Sequence, residues 1–345
     1  MQDDTPHRVG AAVVGLGVGE QHALACLRHP ACQLRWVYDL LPKKAHGFVE
    51  RHGVGRVATS YEEILADPEV QLVCLASFDD MHFQQTVAAL QAGKHVFVEK
   101  PLCRSRTELA VIHALWRGGQ GKLHLSSNLV LRAAPLYDWL RRAIHAGLLG
   151  TVYAIDGDYL YGRIHKITEG WRKDLADYSV MMGGGIHLVD LMLWISGQRP
   201  SHVHTVGNKV CTHDVAAFRY NDFMAATFTF ASGLVGRITA NFGCVHRHHH
   251  VLRVFGDRGT FVYDDQGPRL HTSRDPALLA APLALDPLPS HKGVLIPDFV
   301  EGLVTGRDAT PSVLHEFDLI SACSAADDAL AAGRAVAIDY MEPMP

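Results

Sequence analysis

Short β-rich runs alternate with helical segments through the first third of the chain, and this alternation restricts the fold more than any other sequence feature. We predict strands at Val9–Val14, Leu34–Tyr38, Leu72–Ala76, His95–Val98 and Leu123–Ser126. We predict helices at Glu20–His29, Lys43–His52, Tyr61–Ala66, His82–Ala92 and Arg106–Arg117. Because parallel strands need crossover connections between them, the pattern predicts a doubly wound α/β domain.

Glycines mark the junction between the first predicted strand and the first predicted helix. Gly15 permits a tight turn, and Gly17 lets the backbone approach a pyrophosphate. The amides around Val18 and Gly19 would offer donors and a partial positive charge at the helix N-terminus. The third glycine of the usual pattern comes early here, at Gly19. The turn predicts a dinucleotide-binding Rossmann domain, with a ligand-free glycine turn as the alternative.

An acidic residue follows the second predicted strand. Asp39 stands directly after Val37 and Tyr38, where a carboxylate accepts hydrogen bonds from a ribose diol. A carboxylate at that point repels a 2′-phosphate, so the sequence favours NAD over NADP as the cofactor. Lys43 and Lys44 lie nearby and remain possible phosphate ligands.

The second part of the chain has a different pattern. We predict helices at Ala134–Ala146, Ile186–Ile195 and Glu316–Ala332. We predict strands at Thr151–Tyr161, Ser201–Val206, Val210–Tyr220, Met224–Phe230, Leu234–Phe242, His250–Phe255 and Thr260–Tyr263, and a long loop at Asp264–Pro297. Short connections between strands indicate antiparallel pairing. We therefore expect a Rossmann domain at 1–126 and an α+β domain at 127–345.

Composition excludes several classes of protein. The 345 residues carry a net charge of −4, which gives no sign of a nucleic-acid partner. The sequence has neither a secretory signal pattern nor an apolar run long enough to span a membrane. Its seven cysteines are scattered, which favours free thiols in a reducing compartment. We therefore expect a cytoplasmic protein with no membrane partner.

Two segments carry residues suited to proton transfer. Lys100 follows the strand at His95–Val98, at the sheet edge where ligands bind, and is a candidate to hold a reacting hydroxyl. His187 follows three glycines in the first turn of a predicted helix, and an imidazole can take the proton of a carbinol as its hydride departs. Asp190, three residues later, lies on the same helix face and is predicted to orient His187. A solvated lysine and a packed histidine are the alternatives.

Further residues are predicted to face a substrate. Aromatic surface together with cationic and amide groups suits a sugar, and the candidates are Asn128, Arg132, Tyr159, Lys166, Trp171 and Arg172. Sheet or helix packing is the alternative for each. His246, His248 and His250 share one face of a strand, but no carboxylate or cysteine stands at a helpful spacing. We predict no metal site.

Several motifs occur in an order that resembles the Gfo/Idh/MocA oxidoreductases, which include glucose–fructose oxidoreductase and inositol dehydrogenase. They are the glycine turn, Ser77–His82, Ala92–Pro101, Trp171-Arg172 and Gly183–Asp190. The resemblance implies a Rossmann domain followed by a large open-faced, mostly antiparallel sheet, and a sugar or polyol substrate. It further implies cofactor contacts at Ser77, His82, Glu99 and Lys100, a substrate-orienting role for Lys100 and a catalytic role for His187.

One position departs from the resemblance. The family often has an aspartate four residues before the histidine, where this chain has Gly183. Either Asp190 or an acid of the segment 174–177 then orients His187, or the histidine works without a carboxylate. An NAD-retaining glycosidase or epimerase and a non-catalytic nicotinamide-sensing regulator therefore remain alternatives to a sugar dehydrogenase. The resemblance also implies a homodimer or homotetramer formed through the C-terminal sheet.

Overall fold

The computed structural model describes residues 8–175 and 177–342, which divide into two compact units. The described residues of the first unit are 8–130, 289–317 and 341–342, and those of the second are 131–288 and 318–340. The sequence-based division at residue 126 differs from these units chiefly at 289–317. This segment groups with the first unit because Ile296 and Val300 pack into its hydrophobic core.

Parallel strands form the sheet of the first unit. They are β1 (Val9–Val14), β2 (Cys32–Tyr38), β3 (Arg56–Val57), β4 (Leu72–Leu75), β5 (His95–Val98) and β6 (Leu125–Ser127). Within the described part of the chain their order is β3-β2-β1-β4-β5-β6. Every residue of β1 is buried, as expected for a strand at the centre of a sheet covered on both faces.

Helices connect these strands. They are α1 (Gly19–Arg28), α2 (Pro42–His52), α3 (Tyr61–Ala66), α4 (His82–Gln91) and α5 (Arg106–Gly118). Serine residues cap two of them, because the side chains of Ser60 and Ser105 accept hydrogen bonds from the amides of Glu63 and Glu108. The predicted Rossmann architecture is confirmed; of the strands of its sheet within the described residues, the two-residue β3 was not predicted.

The second unit combines helices with a mixed, mostly antiparallel sheet. Its helices are α6 (Pro135–His145), α7 (His165–Thr168) and α8 (Ile186–Ser196), and its strands up to residue 288 are β7 (Val152–Leu160), β8 (Pro200–Asn208), β9 (Phe223–Phe230), β10 (Val235–Asn241), β11 (His249–Gly256), β12 (Thr260–Asp264), β13 (Gly267–His271) and β14 (Ala281–Pro282). The chain continues with α9 (Ile296–Thr305), α10 (Thr310–Ala332) and β15 (Val336–Ala337).

Among the described residues the strand order of this sheet is β14-β13-β12-β11-β7-β10-β9-β8-β15. Strands β7 and β10 pair in parallel, and β11 pairs with β7 antiparallel. Helix α8 lies on one face of the sheet, where Gly157 of β7 leaves room for Leu188. No helix within 8–175 or 177–342 is both long enough and apolar enough to cross a membrane.

The predicted strand at Val210–Tyr220 is wrong, since this segment forms turns. The carboxylate of Asp222 accepts hydrogen bonds from both the amide and the hydroxyl of Thr212, at 2.7 and 2.9 Å, which folds the segment back on itself. These local hydrogen bonds compete with a strand ladder.

The predicted long loop at Asp264–Pro297 is also wrong in part, because β13, β14 and the start of α9 lie within it. Gly267 adopts a φ of +86°, which permits a tight turn between β12 and β13. Arg269 then pairs with Asp264 across the turn, and its hydrogen bonds lower the pKa of Asp264 to about 2.

Candidate functional site

The glycine turn between β1 and α1 has the geometry of a pyrophosphate-binding loop. Gly15 has a φ of +86°, and a Cβ there would overlap the carbonyl of Ala76. A Cβ on Gly17 would meet nothing within 4 Å, so a ligand can approach this backbone closely. A Cβ on Gly19 would lie 2.9 Å from the Cβ of Ala76. Gly19 therefore permits the close packing of helix on strand that the third glycine of the usual pattern permits one position later.

A pocket of about 370 Å³ opens beside this turn. Asp39, Lys44 and Ser77 contribute polar groups to its lining, and Leu41 and Phe78 contribute apolar surface. The carboxylate of Asp39 accepts hydrogen bonds from the amides of Leu16 and Leu41 at 2.7 and 2.8 Å. Each carboxylate oxygen accepts more than one hydrogen bond, so this arrangement fixes Asp39 and leaves acceptor capacity for a ribose diol.

The glycine turn and Asp39 therefore fit a nicotinamide dinucleotide, whereas His82 and Glu99 lie outside this pocket lining and their cofactor contacts stay predictions. No side chain caps the N-terminus of the ten-residue helix α1, where Val18 is the N-cap residue, and the amides there suit a diphosphate. Gly17 supplies the open approach, and Asp39 the ribose acceptor. Both lie on the lining of one pocket.

Ser77 and His82 belong to a group of side chains at the carboxyl end of β4. The hydroxyl of Ser77 donates to Oε1 of Gln85 at 2.6 Å. Nδ1 of His82 lies 2.7 Å from the carbonyl oxygen of Pro101, and Nε2 lies 3.3 Å from that of Ser77. His82 is fully buried and thus links the segment after β4 to the segment after β5.

Glu99 lies in a hydrogen-bonded group that the sequence did not reveal. Nε2 of His22 is 3.1 Å from its carboxylate, and the amide of Asn128 donates to the same oxygen at 2.6 Å. Burial would raise the pKa of Glu99, but His22, Asn128 and the charge of Lys100 together hold it below its usual value. Lys100 is half-buried, and the Lys100–Pro101 peptide bond is cis.

This group changes the interpretation of Asn128, which the sequence predicted to contact substrate. Asn128 is 1% exposed, and its amide nitrogen also lies 2.9 Å from the carbonyl oxygen of Lys292. The structure thus uses Asn128 to hold Glu99. His22 had no sequence signal, because the Glu99 and Asn128 partners lie far away along the chain.

His187 is buried in the second unit, against aromatic and histidine rings of the sheet. Its ring stacks on Tyr159 of β7 with centroids 6.2 Å apart, and the ring of His250 on β11 lies 5.9 Å away. Tyr159 also stacks on Tyr161, and His248 lies edge-on to both tyrosines. The buried imidazole of His187 thus lies in a cluster of tyrosine and histidine rings, which carry hydroxyl groups and ring nitrogens.

The three glycines before His187 do not form a simple turn. Met181–Gly185 is a π-helical segment that continues into α8, and it is entirely buried. A Cβ on Gly184 would overlap the ring of Tyr159. The glycines therefore let the helix approach the aromatic side chains that surround His187.

Asp190 and Arg132 form a buried ion pair. Nε of Arg132 donates to the two carboxylate oxygens of Asp190 at 2.9 and 3.2 Å, and a terminal nitrogen of Arg132 makes a further bond. The sequence predicted that Asp190 orients His187 and that Arg132 contacts substrate; the structure pairs the two side chains with each other, and both of those roles stay predictions. An ionised carboxylate that is 1% exposed requires such a partner.

Arg172 and Arg163 lie near Tyr159. Burial raises the pKa of Tyr159 and the neighbouring tyrosines add to the rise, whereas the charges of Arg172 and Arg163 oppose it. Arg172 lies over the ring of Trp171, 4.4 Å from its centroid. Lys166 is exposed on α7. Arg172 thus lies within electrostatic range of Tyr159, and its contact is with Trp171.

The histidine run at 246–250 divides between two environments. Nε2 of His246 pairs with Asp265 at 2.9 Å, whereas His248 and His250 face Tyr159. Across the described residues, no group of three or more His, Cys, Asp or Glu side chains is placed to hold a metal ion. Strand alternation correctly placed His248 and His250 on one face, but the sequence did not connect them with His187.

Comparisons with known proteins give one family for both parts of the chain. Residues 9–124 match the model of an oxidoreductase family with an NAD-binding Rossmann fold. Residues 137–262 match the model of the GFO/IDH/MocA C-terminal domain.

Individual relatives agree with this assignment. The chain is 23% identical to the uncharacterized oxidoreductase YrbE of Bacillus subtilis over 268 residues. The matched region covers 76% of this chain and 75% of the relative. It is 24% identical to the myo-inositol 2-dehydrogenase of Thermotoga maritima over 75% of each chain. A structure of levoglucosan dehydrogenase in complex with NADH has the same fold, with a TM-score of 0.84, 19% identity, and coverage of 97% of this chain and 100% of that one.

Proposed function

This chain belongs to the GFO/IDH/MocA family of NAD-binding oxidoreductases, and we propose that it transfers a hydride between nicotinamide and a secondary alcohol of a sugar, an inositol or a sugar derivative, including nucleotide sugars. The observation that carries the proposal is the buried His187, whose ring stacks on Tyr159 at a sheet face lined with rings. The other unit of the same chain has a glycine turn that a ligand can approach closely. A histidine such as His187 suits proton exchange with an alcohol.

In the proposed reaction, His187 accepts the hydroxyl proton when the alcohol is oxidised and returns it in reduction. Lys100 donates a hydrogen bond to the oxygen of the substrate and so stabilises the negative charge that develops there. When bound, the nicotinamide ring supplies the hydride acceptor or donor. Gly17 and the N-terminus of α1 bind the diphosphate, and Asp39 binds the ribose.

A polyhydroxy substrate is supported by the chemistry around His187. Tyr159 and Tyr161 present ring surface, and His248, His250 and Arg172 lie beside these rings with groups able to hydrogen-bond hydroxyls. Relatives named as inositol dehydrogenase and 1,5-anhydro-D-fructose reductase point to the same class.

A substrate panel tests the proposal. Purified protein with added NAD is incubated with myo-inositol, levoglucosan and common aldoses, and with NADH in the presence of 1,5-anhydro-D-fructose. We expect at least one of these compounds to cause net oxidation or reduction of the cofactor. Conversion of a sugar with retained NAD and no net redox change would favour a glycosidase or epimerase instead. Binding of NAD with no conversion across a wider panel would favour a sensor.

We also propose that NAD binds in preference to NADP, because the carboxylate of Asp39 lies on the pocket lining and keeps acceptor capacity for a ribose diol. Asp39→Asn removes the negative charge and is expected to weaken NAD binding about tenfold, while the affinity for NADP falls less or rises. Titration of both cofactors measures this change.

Glu20→Gln is the matched control, since it removes an equal charge from the first turn of α1. It is expected to leave the ratio of the two affinities unchanged. Tighter binding of NADP than of NAD by the unaltered protein would contradict the role of Asp39.

The proposal extends to a homodimer or homotetramer formed through the outer face of the second unit's sheet, the face away from α8. Val206 on β8 and Val235 on β10 are 54% and 40% exposed there, beside the Asp156–Arg237 ion pair. Val206→Asp is expected to shift the protein toward monomer in sedimentation velocity, because it places a charge in the contact. Thr310→Asp, at the start of α10, serves as the control. A monomeric unaltered protein would rule out the assembly.

A further inference from the structure

The hydroxyl of Tyr178 lies against Gly183. A Cβ on Gly183 would overlap this hydroxyl and would lie 2.9 Å from Cζ of the same ring. The hydroxyl oxygen is buried. Gly183 thus forms a notch in the helix surface, and the polar end of Tyr178 fills the place of a side chain at position 183.

This notch lies one helical turn before His187. The helix is continuous from Met181 through Ser196, and residues four apart on a helix share one face with Cβ atoms about 5–6 Å apart. Because the start of the helix is π-helical, with hydrogen bonds between residues five apart, position 183 lies about one turn before His187. The hydroxyl of Tyr178 is therefore presented on the helix face that carries His187.

The surroundings hold Tyr178 in this position. Its ring packs edge-on against Phe218, Tyr220 and Phe242, with centroids 6.2 to 6.4 Å apart. The next residue, Ser179, accepts hydrogen bonds from the amides of Met181 and Met182 and donates to Asp327 at 2.6 Å. The segment that carries Tyr178 is thus fastened to the start of the helix.

We propose that Tyr178 is a positioning residue for His187, whose hydroxyl, held in the Gly183 notch, fixes the orientation of the imidazole. This inference rests on the proposed function, because it assigns His187 to proton transfer. It also gives Gly183 a role: a side chain at 183 would displace the hydroxyl. The chain thus replaces an acid at position 183 with a phenol that comes from outside the helix.

Charges near Tyr159, which stacks on His187, agree with this placement. Burial raises the pKa of Tyr159, and the hydroxyls of Tyr161 and Tyr178 contribute further to the rise. Tyr159 and Tyr178 also contact the same ring, that of Phe242, so both phenols lie in the ring cluster that surrounds His187.

Steady-state kinetics of variants test the proposal, using the panel sugar that the unaltered protein converts fastest. Tyr178→Phe removes the hydroxyl and keeps the ring, so we expect kcat to fall about tenfold while KM and the melting temperature stay nearly constant. Gly183→Ala should lower kcat to a similar extent, because its Cβ displaces the hydroxyl. The double variant should be no slower than either single variant, since both changes remove one interaction.

Two controls separate this effect from structural damage. Tyr220→Phe removes the hydroxyl of a neighbouring tyrosine, which bonds the carbonyl of Leu175, and should leave kcat unchanged. Gly118→Ala adds a Cβ to a helical glycine in open space and should also have no effect. An unchanged kcat in Tyr178→Phe, or additive losses in the double variant, would overturn the proposal.

His187→Ala is measured beside these variants, because it separates the proton-transfer role of His187 from the positioning role of Tyr178. If His187→Ala is inactive and Tyr178→Phe retains full activity, only the role of Tyr178 fails. If His187→Ala retains full activity, the proton-transfer role of His187 in the proposed function fails, and the role of Tyr178 fails with it.

Discussion

Replacement of His187 by alanine is expected to lower kcat by about 100-fold or more, because positioned acid–base groups typically contribute 10²–10⁴. The affinity for NAD should remain nearly constant, since the glycine turn and Asp39 belong to the other unit. Steady-state rates together with cofactor titration measure both quantities. The change removes a buried ring that stacks on Tyr159, so the melting temperature must be recorded as well.

His145→Ala is the matched control, because His145 is exposed in the last turn of α6. Its kcat should equal that of the unaltered protein. A folded His187→Ala variant that turns over at the full rate would show that another group exchanges the proton.

Replacement of Asp190 by asparagine is expected to lower the free energy of unfolding by about 3 kcal/mol, because it leaves the guanidinium of Arg132 without its buried counter-charge. Asp190 is 1% exposed and Arg132 is 18% exposed, so water screens this pair poorly. Urea denaturation measures the change.

Asp156→Asn provides the comparison, since Asp156 pairs with Arg237 on an exposed part of the sheet. Its cost should be within about 1 kcal/mol. If Asp190→Asn unfolds at the same urea concentration as the unaltered protein but loses activity, the carboxylate serves His187 as the sequence suggested, and the structural role assigned here is wrong.

Local sequence patterns predicted the first unit well. The apolar run of β1, the glycines at 15, 17 and 19 and the acid at 39 act within one strand–turn–helix–strand unit, so their meaning depends little on distant residues. The same holds for α8, whose glycine-rich start and apolar length are visible in the chain. These features placed most candidate residues of both units on the correct elements.

Long-range packing accounts for what the sequence did not predict. His22, Glu99 and Asn128 meet only because α1, β5 and the segment after β6 converge. The return of 289–317 to the first unit depends on Ile296 and Val300 fitting into a core formed far earlier in the chain.

The role of Gly183 was equally hidden from the sequence. The missing acid suggested that Asp190 would serve His187, because the two share a helix face. The fold pairs Asp190 with Arg132 and brings Tyr178 against Gly183. Such a replacement cannot be inferred from spacing, since the phenol reaches the notch from a segment that precedes the helix.

The most direct measurement follows deuterium from a sugar alcohol to the cofactor. The protein is supplied with NAD and a panel sugar that carries deuterium on every carbinol carbon, and the NADH formed is examined by mass spectrometry. Hydride transfer predicts that each NADH gains one deuterium and that the rate falls through a primary isotope effect. Conversion of the sugar while deuterium is lost to water, with no labelled NADH accumulating, would contradict net oxidation of a carbinol by this protein.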